Sequence, residues 1–393
     1  MYRPGTAETW ASPWASYAAL RDDDPVHHVG RPGGRDYYVL SRHEDVLAAA
    51  VDTATFSSAQ GLTVEYDELE TIGLADNLPL VMMDPPDHTA FRRLVARGFT
   101  PRQIGSLEPE VRAFVVERLE RLRAEGGGDV VEALFKPLPT MVVAHYLGVP
   151  ADGRERFDDW THAIVSASAE GDITGATRAN LEMTGYFAEL IERRRREPGD
   201  DTVSHLVAAG VADDDAGILS ILSYVFAVVT GGNDTTTGML GGSVQLLEER
   251  RDQRRLLLDD PTLVTDAVEE LLRLTSPVQC LARTTTREVA LHGTTIPAGR
   301  RTLLLYGAAN RDPRRYGADA DELDVRRRPG QILTFSQGNH HCLGAAAARM
   351  QARVALEELL ARCPDFAVDL DGVRWAPGPY VRRPTTVPFR VAA

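Results

Sequence analysis

Residues 334–351 read "TFSQGNHHCLGAAAARMQ". Phenylalanine, glycine, histidine and cysteine crowd immediately ahead of an alanine-rich run. From Ala345 through "RMQARVALEELLAR" apolar residues recur at helical spacing, which predicts a helix. The segment therefore reads as an irregular loop delivering Cys342 to a helix N-terminus. With only three cysteines in the chain, 280, 342 and 363, that placement limits what the chain can fold around.

Three readings of Cys342 compete. It is a buried structural thiol, a common state of free cysteine; or a zinc ligand with His340 and His341, for which no second CxxC or HxxxH cluster supplies the remaining ligands; or a thiolate ligand to haem iron. Helix N-terminal amides favour a thiolate. Gly338 and Gly344 would let backbone approach a flat macrocycle, and Phe335 could pack beside the sulfur. The pattern F-x-x-G-x-H-x-C-x-G, filled by Phe335, Gly338, His340, Cys342 and Gly344, is far more specific than a lone glycine motif and favours the third reading.

With these residues the sequence resembles the cytochrome P450 superfamily, the haem-thiolate monooxygenases, and in particular its soluble actinobacterial members, from about Pro25 to Val391. Ser336 stands where the family often has glycine. The resemblance implies a mainly α fold with small β-sheets, a triangular helical prism around haem b (iron-protoporphyrin IX), with Cys342 as the metal ligand. Residues 1–393 are expected to form one haem-thiolate domain.

The chain's organisation agrees. Helical patterns cover roughly 88–124, 129–148, 177–197, 213–249, 262–275 and 344–362. Strand-like pieces lie at 25–41 and 278–305, with Gly293 and "PAGR" as turns, and a final strand pair is expected in "GVRWAPGPYVRRPTTVPFRV". No repeat or long linker divides the chain. The N-terminus lacks the apolar region of a signal peptide, and the run "ILSILSYVFAVV" reads as too short and interrupted to span a bilayer. The few unpatterned cysteines speak against a disulfide framework. A cytoplasmic protein is expected. Net charge −14 argues against a nucleic-acid partner and an anionic membrane surface.

"VVTGGNDTTTGMLGG", residues 228–242, is an odd helix interior. Each glycine costs roughly 0.8–1 kcal/mol relative to alanine, and three successive threonines add to that. A stretch that breaks local rules inside a strong apolar pattern is a kinked core helix or a site. The family resemblance implies the site. Gly231 and Gly232 would make space for dioxygen, Thr235 would hydrogen-bond the reacting oxygen, and Asp234 would connect it to bulk protons. O–O heterolysis consumes two protons, so an acid–alcohol relay has a chemical reason.

The resemblance also implies propionate partners: His88 and Arg92, four apart after Pro85-Pro86, together with Arg283 and His340. Glu270 and Arg273 are expected to form a buried structural trio with Arg327, the register among Arg326, Arg327 and Arg328 being open. It further implies a separate ferredoxin and NAD(P)H-dependent ferredoxin reductase as electron source, and a largely apolar small organic substrate. Other outcomes of the same fold (desaturation, aryl coupling, dehydration) and a haem sensor without turnover are the alternatives. The pocket is expected along 57–80, 160–175, 224–235, 277–281 and near Tyr380. Glu65, Asp67, Glu68, Glu70 and Asp76 offer either a greeting to a cationic substrate or a solvated lid. Arg93, Arg97, Arg102, Arg311, Arg314, Arg315, Arg326, Arg327, Arg328 and Arg349 are the positive charge available to an acidic partner.

Overall fold

The computed structural model describes residues 6–31, 34–71, 74–170 and 173–391, without side chains at 165–170 and 173. Its spine is one helix of 35 residues, Asp215–Glu249. Asp214 starts it by accepting a hydrogen bond from Gly217 N at 2.7 Å. In the disfavoured middle the polar side chains bond back to the preceding turn, which satisfies them inside the helix without strengthening it. Thr235 Oγ1 donates to Gly231 O at 2.8 Å, Thr236 Oγ1 to Gly232 O at 3.0 Å, and Asn233 Nδ2 to Val229 O at 2.6 Å. The apolar run that read as too short for a bilayer is thus part of a helix long and apolar enough to cross one. Its flanks pack on Pro137–Leu147, Val264–Thr275 and Arg154–Glu170, the surroundings of a core helix.

Against the spine lies a core of aliphatic side chains from Pro101–Ala124, Pro137–Leu147, Val264–Thr275 and Ala345–Arg362. The pattern at 88–124 divides into Asp87–Val95, a 3-10 turn Ala96–Phe99 and Pro101–Ala124. The division is chemical: Thr100 caps the second helix and Pro101 fills its first position. The pattern at 129–148 divides likewise into a π turn, Val131–Phe135, and Pro137–Leu147. Gly148, with φ 76°, closes the latter with the paired C-terminal bonds Val149 N to Ala144 O and Gly148 N to His145 O.

A five-stranded sheet orders Val26–Val29, Tyr37–Leu40, Arg301–Leu304, Leu281–Thr285 and Phe56–Ser57, with only the Tyr37–Leu40 and Arg301–Leu304 pair parallel. Val289–Leu291 and Thr294–Ile296 form a hairpin whose turn residues His292 and Gly293 both have positive φ, as a type I′ turn requires. At the C-terminus Arg374–Trp375 pairs with Pro384–Thr386. Pro388–Arg390 instead joins Gly127–Asp129 and Ala367–Val368, so the expected single strand pair is two separate pairings.

Candidate functional site

Cys342 ends the loop that turns on Ser336 (φ 55°) and Gly338 (φ 68°) and enters helix Ala345–Arg362. Its amide donates to Phe335 O at 2.8 Å. Cys280 and Cys363 are buried, whereas Cys342 is accessible, so of the three cysteines it alone is open to a ligand. Surrounding protein pushes the thiol up, while the Gly344 amide, Arg92 and Arg349 pull it down, and a bound cation deprotonates such a group outright. Among the described residues no three His, Cys, Asp or Glu side chains converge as a metal cage, which removes the zinc reading.

The two loop glycines do different things. At Gly344 the nearest atom to an added Cβ is Cys342 Sγ at 4.0 Å, consistent with close approach of a flat group. At Gly338 an added Cβ would meet Val51 Cα at 3.1 Å, so that glycine also seats the loop on helix His43–Val51. On the central helix, Gly231 has nothing within 4 Å of an added Cβ and opens space, whereas at Gly232 the Cβ would meet Val143 Cγ2 at 2.9 Å, so Gly232 makes room for the neighbouring helix.

His88, Arg92, Arg283 and His340 come together. The His88 and His340 rings lie 4.3 Å apart, and His340 Nε2 bonds Ser58 Oγ at 3.1 Å. Arg92 Nη2 donates to His341 O at 2.5 Å, tying its helix to the cysteine loop. Arg283 is 1% exposed and gives Nη1 to Ala282 O at 2.8 Å. Burial lowers His340 to about 3, with Arg283, His88 and Arg92 adding to the effect. Both ring nitrogens of His88 are buried without a partner. A buried orphan donor in a cationic cluster fits an acidic ligand, and two propionates supply that chemistry.

Asp234 turns away from this cluster. Its Oδ1 pairs with Arg383 Nε at 2.8 Å, and burial raises its carboxyl to about 6 against the opposing pull of Arg383 and Lys136. On the cysteine side Arg273 donates from Nε and Nη2 to both oxygens of Glu270 at 2.7 Å, and Arg327 Nε reaches Glu270 Oε1 at 3.0 Å. Arg327 is therefore the third member of the trio, while Arg328 pairs with Asp266. Glu270 and Arg273 have side chains 0% exposed.

Half of the ten arginines expected to collect a partner are engaged in ion pairs. Arg311 is buried on Asp321 and over Trp14, Arg314 pairs with Asp22 and Asp312, and Arg349 with Glu269. Arg93, Arg97, Arg102 and Arg326 are exposed. Two of the five acids near the expected pocket are committed: Glu65 pairs with Arg31, and Glu68 accepts from Leu62 N, Thr63 N and Thr63 Oγ1. The solvated-lid reading of that segment fits better than a cation trap. Of the expected pocket, residues 72–73 and 171–172 lie outside the described residues, as do the side chains at 165–170 and 173. Sequence reasoning missed Arg383, Ser58 and Glu269, which reach the site from segments remote in sequence and carry no motif.

An accessible cysteine at a helix start, a cradle for acidic groups and an acid–alcohol pair on the central helix define a haem-thiolate oxygenase. The chain belongs to the cytochrome P450 family, as relatives matched over nearly its whole length show; a family model described as Cytochrome P450 matches residues 245–371. Its cofactor is haem, and it is a cytochrome P450 monooxygenase. It is 68% identical over 397 residues to "Cytochrome P450 130" of Mycobacterium tuberculosis, covering 100% of this chain and 98% of that one. It is 37% identical to "Mycinamicin IV hydroxylase/epoxidase" of Micromonospora griseorubida, covering 95% and 94%. Among solved structures, cytochrome P450 CYP109Q5 from Chondromyces apiculatus superposes with TM-score 0.86 at 33% identity, covering 99% and 97%. The likeness to soluble actinobacterial enzymes and the fold expected from the sequence both hold.

Proposed function

We propose that this chain is a single-domain, cytoplasmic monooxygenase that oxidises a largely apolar organic small molecule, with electrons from a separate ferredoxin and its NAD(P)H-dependent reductase. The observation that carries the reading is the exposed Cys342 beside a donor cluster with an orphaned buried histidine. Relatives named for hydroxylation support the reaction class, among them "Vitamin D(3) 25-hydroxylase" of Pseudonocardia autotrophica at 36% identity.

Haem bound here would supply dioxygen activation at iron held by the Cys342 thiolate. Every other part is the chain's own. His88, Arg92, Arg283 and His340 would hold the propionates and fix the plane of the macrocycle. Phe335 and Gly344 flank the sulfur, and Gly231 leaves room on the opposite side. Thr235 holds a hydroxyl at that side, already oriented by its bond to Gly231 O, and Asp234 stores the proton it passes on. Glu270, Arg273 and Arg327 keep the cysteine loop in register. Leu62, Leu78 and Leu281 would give the substrate face its apolar character, and Tyr380, with its hydroxyl pushed up to about 12 by burial, stays neutral.

The test is reconstitution. Purified chain with a ferredoxin, its reductase and NAD(P)H should convert an apolar compound that shifts the haem absorption band into a product one oxygen atom heavier. A product without added oxygen would place the chain among the desaturating or coupling members. No turnover with any compound that binds would favour a sensor.

A further inference from the structure

The turn at 377–381 is poorly equipped to hold its own shape. Two of its five residues are proline and donate no backbone hydrogen bond. It loops out between the paired strands Arg374–Trp375 and Pro384–Thr386, beyond the bond from Ala376 N to Arg383 O at 3.0 Å. Three successive carbonyls of the turn accept from outside it. Gly378 O takes Trp10 Nε1 at 3.0 Å, Pro379 O takes the Cys280 thiol at 3.6 Å, and Tyr380 O takes Gln279 N at 2.8 Å. Two of those donors belong to 277–281, a segment of the expected substrate face. The third comes from the first helix of the chain, 368 residues away in sequence.

That helix, Ala7–Ala11, is five residues long, too short to stand without tertiary support. Thr6 caps it by accepting from Thr9 N at 3.0 Å, and the Trp10 side chain is fully buried. Arg382, just past the turn, donates from Nε to Trp10 O at 2.5 Å, and its guanidinium lies 3.7 Å over Trp375 and 4.9 Å over Trp14. Trp10 is thus bonded in both directions, its indole N–H to the turn and its carbonyl from the arginine beyond it. The next helix, Trp14–Asp23, reaches the other segment. Tyr17 Oη donates to Gln279 Oε1 at 2.6 Å, and both side chains are buried. At the far end Arg21 Nη1 donates to Ala308 O at 2.9 Å, which pins this helix to Tyr306–Ala309.

We propose that the segment 6–23 backs the wall of the substrate pocket and that Trp10 is a specificity-determining positioning residue, which sets how far the turn and Tyr380 stand into the pocket. The inference rests on the reading of 277–281 and Tyr380 as substrate-facing. Trp10 itself touches no substrate. Gln279 couples the two segments: its amide holds Tyr380 O, its Oε1 is held by Tyr17, and its Nε2 donates to Thr275 O and Ser276 O at 3.1 and 2.6 Å. The Tyr380 ring packs in one cluster with Tyr17, Cys280 and Val64. Without the Gly378 bond the turn stays fastened on one side, at Tyr380 O and by Arg382 N to Pro277 O at 2.8 Å, and can tilt about that line. The consequence is discrimination by length. Apolar chains that stop short of the turn do not sense the tether, and chains that reach it do.

The experiment uses the full haem-loaded chain and a series of N-alkylimidazoles with tails from methyl to decyl, their binding read from the haem absorption band. Trp10→Phe keeps an aromatic ring and removes the N–H. It should leave the affinity for N-methylimidazole unchanged, alter that for the long-tailed members severalfold, and speed amide hydrogen exchange in 377–382 severalfold. Tyr17→Phe should alter the same long-tailed members by freeing Gln279, and it carries the test should Trp10→Phe not fold. Leu360→Ala is the control for lost stability, in a buried position about 22 Å along its helix from Ala345. It should lower the melting temperature and keep the wild-type tail-length profile. A wild-type profile in Trp10→Phe and Tyr17→Phe, while Tyr380→Ala still alters it, would overturn the positioning role and leave the pocket reading standing. A profile shifted equally by Leu360→Ala would trace the change to lost stability and overturn the role as well. An unaltered profile in Tyr380→Ala would take the turn out of the pocket and the inference with it.

Discussion

Arg349 donates from Nε and Nη2 to the two oxygens of Glu269 at 2.5 and 3.0 Å while its guanidinium lies 4.6 Å over the Phe335 ring. The residue that offered itself as a docking charge is thus a clamp behind the cysteine. Arg349→Glu should set two carboxylates against each other beside Phe335, speed haem loss and shift the haem potential at any salt concentration. Charge for a partner rests instead with exposed arginines such as Arg93 and Arg97, which follow Arg92 on the segment tied to the cysteine loop. Arg97→Glu should slow ferredoxin-supported turnover severalfold at low salt. The effect should fade as the Debye length falls to about 8 Å near physiological ionic strength. Stopped-flow reduction at several salt concentrations separates the two variants.

The trio makes a stability prediction. Glu270 faces two arginines in a site its own side chain does not share with solvent. Glu270→Gln leaves the Arg273 guanidinium without its counter-charge and should destabilise the chain by about 3–5 kcal/mol. Arg327→Gln should cost less, because Arg327 is 13% exposed and water can replace part of its role. Denaturant unfolding of both variants checks the order.

His88 gives a prediction with opposite signs in two states. Its ring nitrogens are buried and unpartnered within the chain, and such groups cost about 1–3 kcal/mol each. His88→Leu should therefore stabilise the haem-free protein, or leave it unchanged, while loosening haem severalfold. Thermal melts without haem and haem transfer to a scavenger protein measure the two effects. A destabilised haem-free variant with unchanged haem retention would contradict the propionate role.

Proton delivery sets a pH dependence. Burial raises the Asp234 carboxyl from its ordinary value to about 6, so the neutral, proton-donating form dominates below that value and the ion pair with Arg383 above it. Proton-limited turnover should fall as pH rises through about 6 in the wild type and be flat there in Asp234→Asn. Thr235→Ala should bind substrate normally and release more peroxide per electron pair consumed.

Much of this was legible in the sequence because it rests on local chemistry. The cysteine loop, the helix after it and the long central helix follow from spacing, and the Glu-x-x-Arg pair from one helical turn. Arg327 could not be told from its neighbours, since three adjacent arginines offer the same charge and only the loop geometry selects one. The missing side chains of Gly232 and Gly338 make room for Val143 and Val51. A glycine in sequence does not say which surface needs the space. Arg383 was invisible for a different reason: it meets Asp234 across nearly 150 residues, by a strand packing that no motif records.

Ligation by Cys342 is the claim on which the rest depends, and the absorption spectrum of reduced, carbon monoxide-treated protein tests it most directly. Wild type, Cys280→Ala and Cys363→Ala should each show the strongly red-shifted Soret band of thiolate ligation, and Cys342→Ala should lose it. Retention of that band in Cys342→Ala would contradict the account.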